Sequence, residues 1–533
     1  MKLDVNFSEN RAKWEHIDIV LPKFNQKNMQ TLTSQRPTWI HFGAGNIFRG
    51  YIARLQQNIL NSGKTDTGII AVETFDYDII DKIYYPYDNL ALLVTLNSNG
   101  NMNKEIIASI AKSLRADIHK QEIIKIFENP SLQMASLTIT EKGYAITDME
   151  SEFLPVILSD ADAGPDKCMH IMSILTALCY KRYQAGAAPI ALVSMDNCSG
   201  NGEKLRSAII CIARLWKNRN FTNQGFIDYL LSGKVSFPWS MIDKITPRPS
   251  EVVEEHLTNL GIENMSPIIT SKNTFIAPFV NAEGAEYLVI EDDFPNGRPP
   301  LEKSGVYFTN RETVNLTETM KVTTCLNPLH TALAVFGCLL GYKTIADEMS
   351  DPDLRILIEK IGYDEGMRVV HNPGIIDPKV FIDEVINVRL PNPFIPDTPS
   401  RIATDTSQKM RIRFGKTIEA YLNSDTLQVS DLKGIPLTIA AWFRYLLGVD
   451  DNLTPIVISP DPMLEYLTAQ LSGITAGKPQ TYKGQLRPIL CSHILFGLHL
   501  YDAGLGKKIE KMFIDMIKAP GAVRKALRNL NSY

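Results

Sequence analysis

The feature that most constrains the fold is an alternation, beginning at Thr38, of short apolar runs with helical stretches. The apolar runs are continuous and do not alternate with polar residues, which is typical of strands buried on both faces. They are TWIHFG (38–43), GIIAVETF (68–75), ALLVTL (91–96), ASLTIT (135–140) and PIALVSM (189–195), with helices expected at 47–60 and 168–184. Strands of this kind, separated by helices, predict an α/β domain with a mostly parallel sheet covered on both faces.

The pattern changes after about residue 285. Helical periodicity then dominates, over 331–341, 353–363, 378–388, 437–448, 462–471 and 506–517, with loops rich in Pro and Gly such as 391–400. The first 37 residues have weak periodicity and are interpreted as an extension packed on the first domain. We therefore predict an extension at 1–37, an α/β domain at 38–285 and a mainly α-helical C-terminal domain at 286–533.

Composition excludes several classes of protein. The 533-residue chain has 55 basic and 59 acidic residues and a net charge of −4, so it lacks the excess of basic residues that is typical of nucleic-acid-binding proteins. The apolar runs at 331–342 and 436–449 fall short of the roughly 20 residues that span a bilayer, and the polar first segment is not a signal peptide. The seven cysteines are scattered, which favours reduced thiols and a cytoplasmic location. No HExxH-type spacing occurs, and His493 and His499, six residues apart, are expected on different faces of a helix, so no metal site is expected.

A glycine turn follows the first strand and leads directly into a helix. Gly43 allows the tight turn, and Gly45, without a Cβ, lets a pyrophosphate approach the positive end of that helix. Phe48 stands where the third glycine of the usual fingerprint would be, so a turn without a ligand is the alternative. Glu73 ends the next strand, where an acidic residue can bind ribose hydroxyls, or can be an ordinary solvated charge. Together these features favour a Rossmann-type site that prefers NAD to NADP.

Four polar clusters follow apolar runs. They are TEKGY (140–144), SMDNCSGNG (194–202), SMIDKITPRPS (240–250) and MKVTTCLNPLH (320–330). Because ligands of doubly wound sheets bind beyond the carboxyl ends of the strands, the first two are expected to face the same crevice as the glycine turn.

These segments give the chain a resemblance to the polyol-specific long-chain dehydrogenases, the family that includes mannitol 2-dehydrogenases and fructuronate reductases. It rests on HFGAGNIFRG, LTITEKGY, VSMDNCSGNG, MIDKITP, VIEDDFPNGRP, MKVTTCLNPLHTALA, PNPFIPDTPSRIA and AAWFRYLLGVDDN, in that order. The resemblance implies a Rossmann-like domain followed by a helical domain, metal-independent NAD(P)-linked oxidation of a sugar alcohol, and a lysine as general acid/base.

Matched position by position, the resemblance implies a role for each of several residues. Lys321 corresponds to the catalytic lysine, since an amine whose pKa is depressed can take the hydroxyl proton as hydride leaves. Asn327 and Asn197 correspond to amide donors to the developing alkoxide. His330 corresponds to a histidine that orients substrate, and Asp243 and Arg401 to substrate-binding residues. The cofactor-binding set is Gly43, Gly45, Asn46, Phe48, Glu73, Thr140 and Lys142.

Each role has an ordinary structural alternative, and the match has departures. Asn327 before Pro328 is a good helix N-cap, and His330 on an apolar helix could be a core residue. Lys321 could be a surface lysine, and Asp243 and Arg401 ordinary loop charges. In the family pattern the lysine precedes the asparagine by five residues and the histidine by eight, whereas here the gaps are six and nine, so a bulge or loop is expected between them. Trp239 and Glu286 replace an asparagine and a glutamine that are common in the family.

The sequence thus predicts an NAD-dependent enzyme that interconverts a sugar acid or polyol with its ketose, with D-mannonate and D-fructuronate favoured. Arg401, Arg298 and Lys409 are the candidates for holding a substrate carboxylate. Mannitol or another hexitol is the close alternative. A non-catalytic NAD-binding sensor and an epimerase with tightly bound NAD remain as alternatives of other classes. A small-molecule substrate is the only partner expected.

Overall fold

The computed structural model describes residues 1–148 and 150–533, and its strands all lie in the first part of the chain. In chain order they are β1 Ile19–Val20, β2 Trp39–Phe42, β3 Ile69–Glu73, β4 Ala91–Leu96, β5 Met102–Ile107, β6 Ile110–Arg115, β7 Met134–Leu137, β8 Ile190–Ser194, β9 Val235–Ser236, β10 Ser240–Asp243, β11 Ile268–Ile269, β12 Phe275–Ile276, β13 Phe279–Glu283, β14 Tyr287–Glu291 and β15 Tyr307–Thr309.

Six strands form a parallel sheet in the order β6-β3-β2-β7-β8-β9. Counted within this sheet alone, the order is 3-2-1-4-5-6, the arrangement of doubly wound dinucleotide-binding domains. Ile40 and Phe42 pack into the core on one face, and Trp39 packs into the core on the other. The order reverses between β2 and β7, so the crevice at that point lies beyond Phe42 and Leu137. The predicted α/β, Rossmann-like fold is confirmed.

Four of the five predicted strands share one sheet, and the fifth lies in another. The runs that became β2, β3, β7 and β8 lie in the parallel sheet, but β4 belongs to a second sheet of order β1-β5-β4-β13, where it pairs antiparallel with β5. The sequence missed β6, because Lys112 and Ser113 interrupt its apolar run, and β9, which has only two residues. Two small sheets, β10-β14-β15 and β11-β12, complete the strands.

The helices of the first unit, Met1–Asn315, cover the sheets. The α-helices are Arg11–His16, Gln26–Gln35, Ala53–Asn61, Tyr77–Ile79, Lys120–Glu128, Pro155–Ala163, Ile171–Gln184, Asn201–Asn218, Gln224–Leu231 and Glu251–Asn259. Short 3₁₀ segments lie at Val5–Asn10, Tyr85–Tyr87, Glu141–Tyr144 and Leu301–Ser304, and π-helical turns at Phe48–Ile52 and Ile80–Tyr84. The N-terminal extension contributes β1 to the second sheet and so belongs to this unit.

The second unit, Leu316–Tyr533, is helical. After Arg311–Met320, its α-helices are Asn327–Leu340, Ile345–Met349, Pro352–Glu359, Pro378–Glu384, Pro399–Ile402, Thr406–Met410, Lys416–Leu422, Gly434–Tyr445, Leu464–Gln470, Arg487–Leu490, His493–Phe496, Gly506–Met516 and Ala522–Arg528. Short 3₁₀ segments lie at Val429–Asp431, Pro479–Thr481 and Leu530–Ser532, and π-helical turns at Lys321–Cys325, Lys360–Gly366, Val385–Arg389 and Arg411–Gly415.

Local sequence explains where several of these helices begin. Asp351, Asp377 and Thr398 each accept a backbone hydrogen bond at a helix start, and each precedes a proline at the first helical position. By length and composition the stretch Arg311–Leu340 could cross a membrane, but 72% of its most apolar window is buried within the protein, as in a core helix.

The division between the units lies between Asn315 and Leu316, later than the change of sequence pattern near residue 285. Strand pairing is the physical reason. β14 pairs with β10 and β15 pairs with β14, which keeps residues 287–309 in the first unit.

Candidate active site

Gly43 makes the turn at the end of β2. Its φ of +100° is one that L-residues with side chains rarely adopt, and a Cβ there would lie 2.1 Å from the carbonyl oxygen of Thr138. At Gly45, by contrast, a Cβ would meet nothing within 4 Å. The fold of the turn therefore requires glycine at position 43, whereas at Gly45 the protein leaves the space beside the backbone open.

Glu73 holds this turn in place. One carboxylate oxygen accepts from the N–H of Ala44 (2.9 Å), and the other accepts from the N–H groups of Thr74 (2.9 Å), Phe75 (3.0 Å) and Asp76 (3.3 Å). The side chain is buried, with 6% exposure of the residue. The carboxylate expected to bind ribose hydroxyls is thus already hydrogen-bonded to the loops that follow β2 and β3.

A cleft of about 760 Å³ opens beyond the carboxyl ends of β2, β3 and β7. Of the expected cofactor-binding residues, Gly43, Gly45, Glu73, Thr140 and Lys142 line it. A second cleft of about 540 Å³ is lined by Thr74 and Phe75 as well, and by Lys120, Lys181 and Lys272. The structure therefore brings together most of the cofactor-binding residues that the resemblance implies.

Asn46 and Phe48 are placed differently. The Phe48 ring is fully buried and stacks on His41, with ring centroids 4.2 Å apart. Asn46 accepts a hydrogen bond from Arg49 (2.7 Å). Neither residue lines the cleft. Both side chains instead contact other residues of the protein at the start of the helix that follows the glycine turn.

His41 links the two strands at the switch point. Its ring nitrogens lie 2.6 Å from Ser136 Oγ and 2.8 Å from Thr138 Oγ1, and burial lowers the pKa of His41 to about 3. A neutral imidazole therefore joins β2 to β7 directly below the glycine turn.

Asp196, which was not among the predicted site residues, connects the loops that follow β7 and β8. Its carboxylate accepts from the N–H of Ile139 (2.9 Å) and from the Tyr144 hydroxyl (2.5 Å). Burial outweighs these hydrogen bonds and raises the pKa of Asp196 to about 7. Asn197, the next residue, is exposed at this edge of the sheet.

Asp243 ends β10 and is buried. The replacement of glutamine by Glu286 nearby has a structural reason, because Glu286 binds Arg54 through both oxygens (2.8 Å each) and also Lys244 (2.9 Å). At the Trp239 position, the indole packs against the Arg311 guanidinium at 5.4 Å.

Lys321, in the second unit, is 1% exposed and begins a π-helical turn, Lys321–Cys325. The N–H of Leu326 donates to the carbonyl of Lys321 at 3.1 Å, five residues back. A π turn accommodates one additional residue in a helix and is frequent at functional sites. The bulge expected from the six-residue spacing between Lys321 and Asn327 is therefore present.

Asn327 is the first residue of the helix that continues to Leu340. The residue at the cap position is Leu326, and no side chain caps this helix. Within the described part of the chain the Asn327 amide makes no hydrogen bond, so the N-cap alternative does not apply. The amide is available to an external acceptor.

His330 lies one turn further along the helix. Its Nε2 is 3.2 Å from Asp397, whose other oxygen accepts from Arg401 Nε at 2.7 Å. Burial lowers the pKa of His330 despite this carboxylate, while the hydrogen bonds from His330 and Arg401 outweigh burial and lower the pKa of Asp397. The His330–Asp397–Arg401 chain therefore fixes the ring and brings two expected site residues together.

Two further cations lie beside this chain. The guanidinium of Arg413 donates to the hydroxyl of Thr331, and the ammonium of Lys409 donates to the carbonyls of Ile402 (3.1 Å) and Thr404. Burial, with a smaller effect of Arg413, lowers the pKa of Lys409 to about 8. Arg298, the remaining carboxylate-anchor candidate, lies in the first unit, bound to Asp292 and Glu302 and stacked on Phe308.

Residues 1–148 and 150–533 contain no group of three His, Cys, Asp or Glu side chains arranged to hold a metal ion. The seven cysteines are free thiols. The expectation that His493 and His499 point apart is wrong, because their ring centroids are 4.4 Å apart. The helix His493–Phe496 ends at Gly497, which has a positive φ, so the two residues do not share a helix.

The first unit fits a dinucleotide. The Gly45 backbone faces open space, Gly43 admits no side chain, and the switch-point crevice adjoins both. Gly43, Gly45, Thr140 and Lys142 are the residues that would hold it. The fold and this crevice define a Rossmann-type dinucleotide-binding protein with a second, helical unit.

Comparison with known proteins specifies the family. The model of the mannitol dehydrogenase Rossmann domain matches residues 37–303, and that of the mannitol dehydrogenase C-terminal domain matches 314–482. The chain belongs to the mannitol dehydrogenase family and is an oxidoreductase.

Three similar proteins illustrate the range of the family. A D-mannonate oxidoreductase of Thermotoga maritima is 53% identical over 99% of both chains. A mannitol 2-dehydrogenase of Neosartorya fischeri is 31% identical over 81% of this chain and 82% of its own. The solved structure of Pseudomonas fluorescens mannitol 2-dehydrogenase, a ternary complex with NAD and D-mannitol, is 26% identical, covers 100% of both chains and has a TM-score of 0.74.

Two residues beside the expected site, Asp196 and Arg413, were not among those predicted from the sequence. Asp196 lies in the motif that was already quoted for Asn197, so its position beside a strand end was the available signal. Arg413 had none, because only the fold brings it to Thr331, 82 residues away in sequence.

Proposed function

We propose that this protein is an NAD-dependent, metal-independent sugar-acid dehydrogenase that interconverts D-mannonate and D-fructuronate. The observation that carries the proposal is the 53% identity, over 99% of both chains, to a protein named D-mannonate oxidoreductase. The cation-rich surroundings of His330 support a substrate with a carboxylate. A cytoplasmic location and NAD rather than NADP are parts of the same proposal.

The chemistry assigned to the second unit uses Lys321 and Asn327. As hydride leaves the carbinol carbon, the Lys321 amine takes the hydroxyl proton, and in the reverse direction it returns that proton to the oxygen. The Asn327 amide donates to the oxygen as it gains negative charge, an interaction of about 2.7–4 kcal/mol in comparable oxyanion sites. His330, held by Asp397, orients the substrate hydroxyls. The roles of Asn197 and Asp243 rest on the family resemblance.

The cofactor supplies the hydride acceptor when it is bound. Glu73 contributes indirectly, because it fixes the Ala44 N–H and the loop after β3, while Gly45 leaves the backbone accessible. The Glu73 carboxylate is already hydrogen-bonded within the protein, and three lysines line the neighbouring cleft. The preference for NAD over NADP is therefore tested by measuring activity with each cofactor.

A hexitol dehydrogenase is the second candidate, favoured by the full-length likeness to the mannitol 2-dehydrogenase structure. Formation of NADH or NADPH from D-mannonate, D-altronate, D-mannitol and D-arabinitol, each measured with NAD and with NADP, separates the two. We expect the highest kcat/KM with D-mannonate and NAD. A higher kcat/KM with D-mannitol would overturn the proposed substrate, and substrate conversion without net NADH would indicate an epimerase.

A further inference from the structure

A single arginine of the helical unit, Arg413, differs from its basic neighbours in what it binds. Arg401 is paired with Asp397, and Lys409 donates to two backbone carbonyls. Arg413 donates to the Thr331 hydroxyl, and no carboxylate of the described residues lies within salt-bridge distance of it. A guanidinium has five N–H donors, so one hydroxyl leaves most of its hydrogen-bonding capacity unused.

The position of Arg413 places it beside the catalytic segment. The π-helical turn Arg411–Gly415 packs against the π-helical turn Lys321–Cys325 and against the helix Asn327–Leu340. Thr331, which receives the Arg413 hydrogen bond, itself donates to the carbonyl of Asn327 at 3.0 Å. Burial lowers the pKa of Arg413 to about 10, so the group remains charged at neutral pH.

Arg413 is the cation of this group without a carboxylate partner. Arg401 is paired with Asp397, which also binds His330, and the charges of Asp405 and Asp461 act on Lys409. Arg413 lies near enough to His330 and Lys409 for its positive charge to oppose their protonation and lower the pKa of each. A substrate carboxylate would supply the counter-ion that Arg413 lacks, because a partly buried cation without one is unfavourable.

The spacing agrees with the shape of a ketohexuronate. In D-fructuronate the carboxylate carbon and the carbonyl carbon are separated by four C–C bonds, about 5 Å at about 1.5 Å per bond in an extended chain. Asn327 and Thr331 lie one turn apart on the same helix face, about 6 Å along the axis. A donor to the reacting oxygen at Asn327 and a cation at Thr331 therefore have a separation comparable with that of the two ends of the substrate.

We propose that Arg413 binds the carboxylate of the sugar-acid substrate and determines the preference for an aldonate over the corresponding hexitol. This proposal rests on the proposed function. A planar guanidinium can bind a carboxylate through two parallel hydrogen bonds, which adds direction as well as charge.

The test compares Arg413→Gln with Arg411→Gln, a change that removes the same charge from an exposed position two residues away. For each variant kcat/KM is measured with D-mannonate, and the affinity for D-mannitol is measured as competitive inhibition, which requires no turnover of the hexitol. We expect Arg413→Gln to lower kcat/KM for D-mannonate about 100-fold, mainly through KM, while the D-mannitol inhibition constant changes less than about threefold. Arg411→Gln should resemble the wild type.

Equal losses for both ligands, or no loss for D-mannonate, would overturn the role of Arg413 and leave the proposed function intact. If the wild type does not oxidise D-mannonate, the proposed function itself fails, and this inference fails with it. Should Arg413→Gln fold poorly, as judged by its thermal unfolding, Arg413→Lys supplies the same comparison. It retains the charge but not the paired hydrogen bonds, so a selective loss for D-mannonate of at least about tenfold is expected, and an unselective effect would contradict the proposal.

Discussion

Replacing Gly43 and Gly45 separately by alanine should separate folding from cofactor binding. At Gly43 the new Cβ would lie 2.1 Å from the carbonyl oxygen of Thr138, where ordinary contact begins at 3.4 Å. Thr138 cannot move away freely, because its N–H donates to Phe42 at 2.9 Å. The positive φ adds about 1–2 kcal/mol and overpacking about 1–3 kcal/mol, so we expect a destabilisation of roughly 2–5 kcal/mol.

At Gly45 the new Cβ has open space and the backbone has no positive φ, so stability should change by less than about 0.5 kcal/mol. The methyl group would occupy the space that a pyrophosphate needs, and we expect the Kd of NAD to rise at least about tenfold. Thermal unfolding without ligand and NAD binding by fluorescence measure the two effects. An equal fall in Tm for both variants, or wild-type NAD affinity in Gly45→Ala, would refute this division of roles.

Four further changes have defined outcomes. Lys321→Ala should lower kcat by about 10³-fold with NAD affinity kept, whereas Lys343→Ala, at an exposed position, should have no effect; parallel losses of NAD binding and turnover would instead indicate damage to the fold. Glu73→Gln places an amide N–H₂ group against backbone N–H groups and should therefore lower both Tm and the affinity for NAD. An unchanged Tm would contradict the stabilising role of these hydrogen bonds. Because the pKa of Asp196 is raised to about 7 in the folded protein, its contribution to stability is complete below its ordinary pKa and is lost as pH rises through 7; Asp196→Asn should flatten that dependence in melting curves measured across pH, and an equally steep curve would contradict it. Lys409, with a pKa near 8, loses its charge as pH rises through 8, so KM for D-mannonate should rise there in the wild type but not in Lys409→Arg.

The fold of the first unit could be predicted where strands are continuous apolar runs. TWIHFG and PIALVSM became β2 and β8 because both faces of the sheet are covered, so every position in them favours a buried side chain. Pairing could not be predicted in the same way. ALLVTL has the same apolar character but joins a different sheet, since its partners β5 and β13 are decided by tertiary packing.

The site, too, could be predicted where local sequence decides the structure and could not be predicted where long-range contacts do. The spacing between Lys321 and Asn327 indicated a local irregularity, and a π turn provides it. The contacts that give the site its charge are long-range: His330 with Asp397, and Thr331 with Arg413. The role expected for Glu73 also depended on geometry, because a carboxylate at a strand end can bind a ligand or the adjoining backbone with equal ease, and here it binds the backbone.

The most direct measurement is the stoichiometry of the complete reaction. D-Mannonate is incubated with the enzyme and limiting NAD, NADH is followed by absorbance, and the sugar products are identified by NMR. The proposed chemistry predicts one D-fructuronate for each NADH, without added metal and with full activity in the presence of a chelator. A product other than the ketouronate, a sugar product formed without NADH, or no reaction with D-mannonate would contradict it.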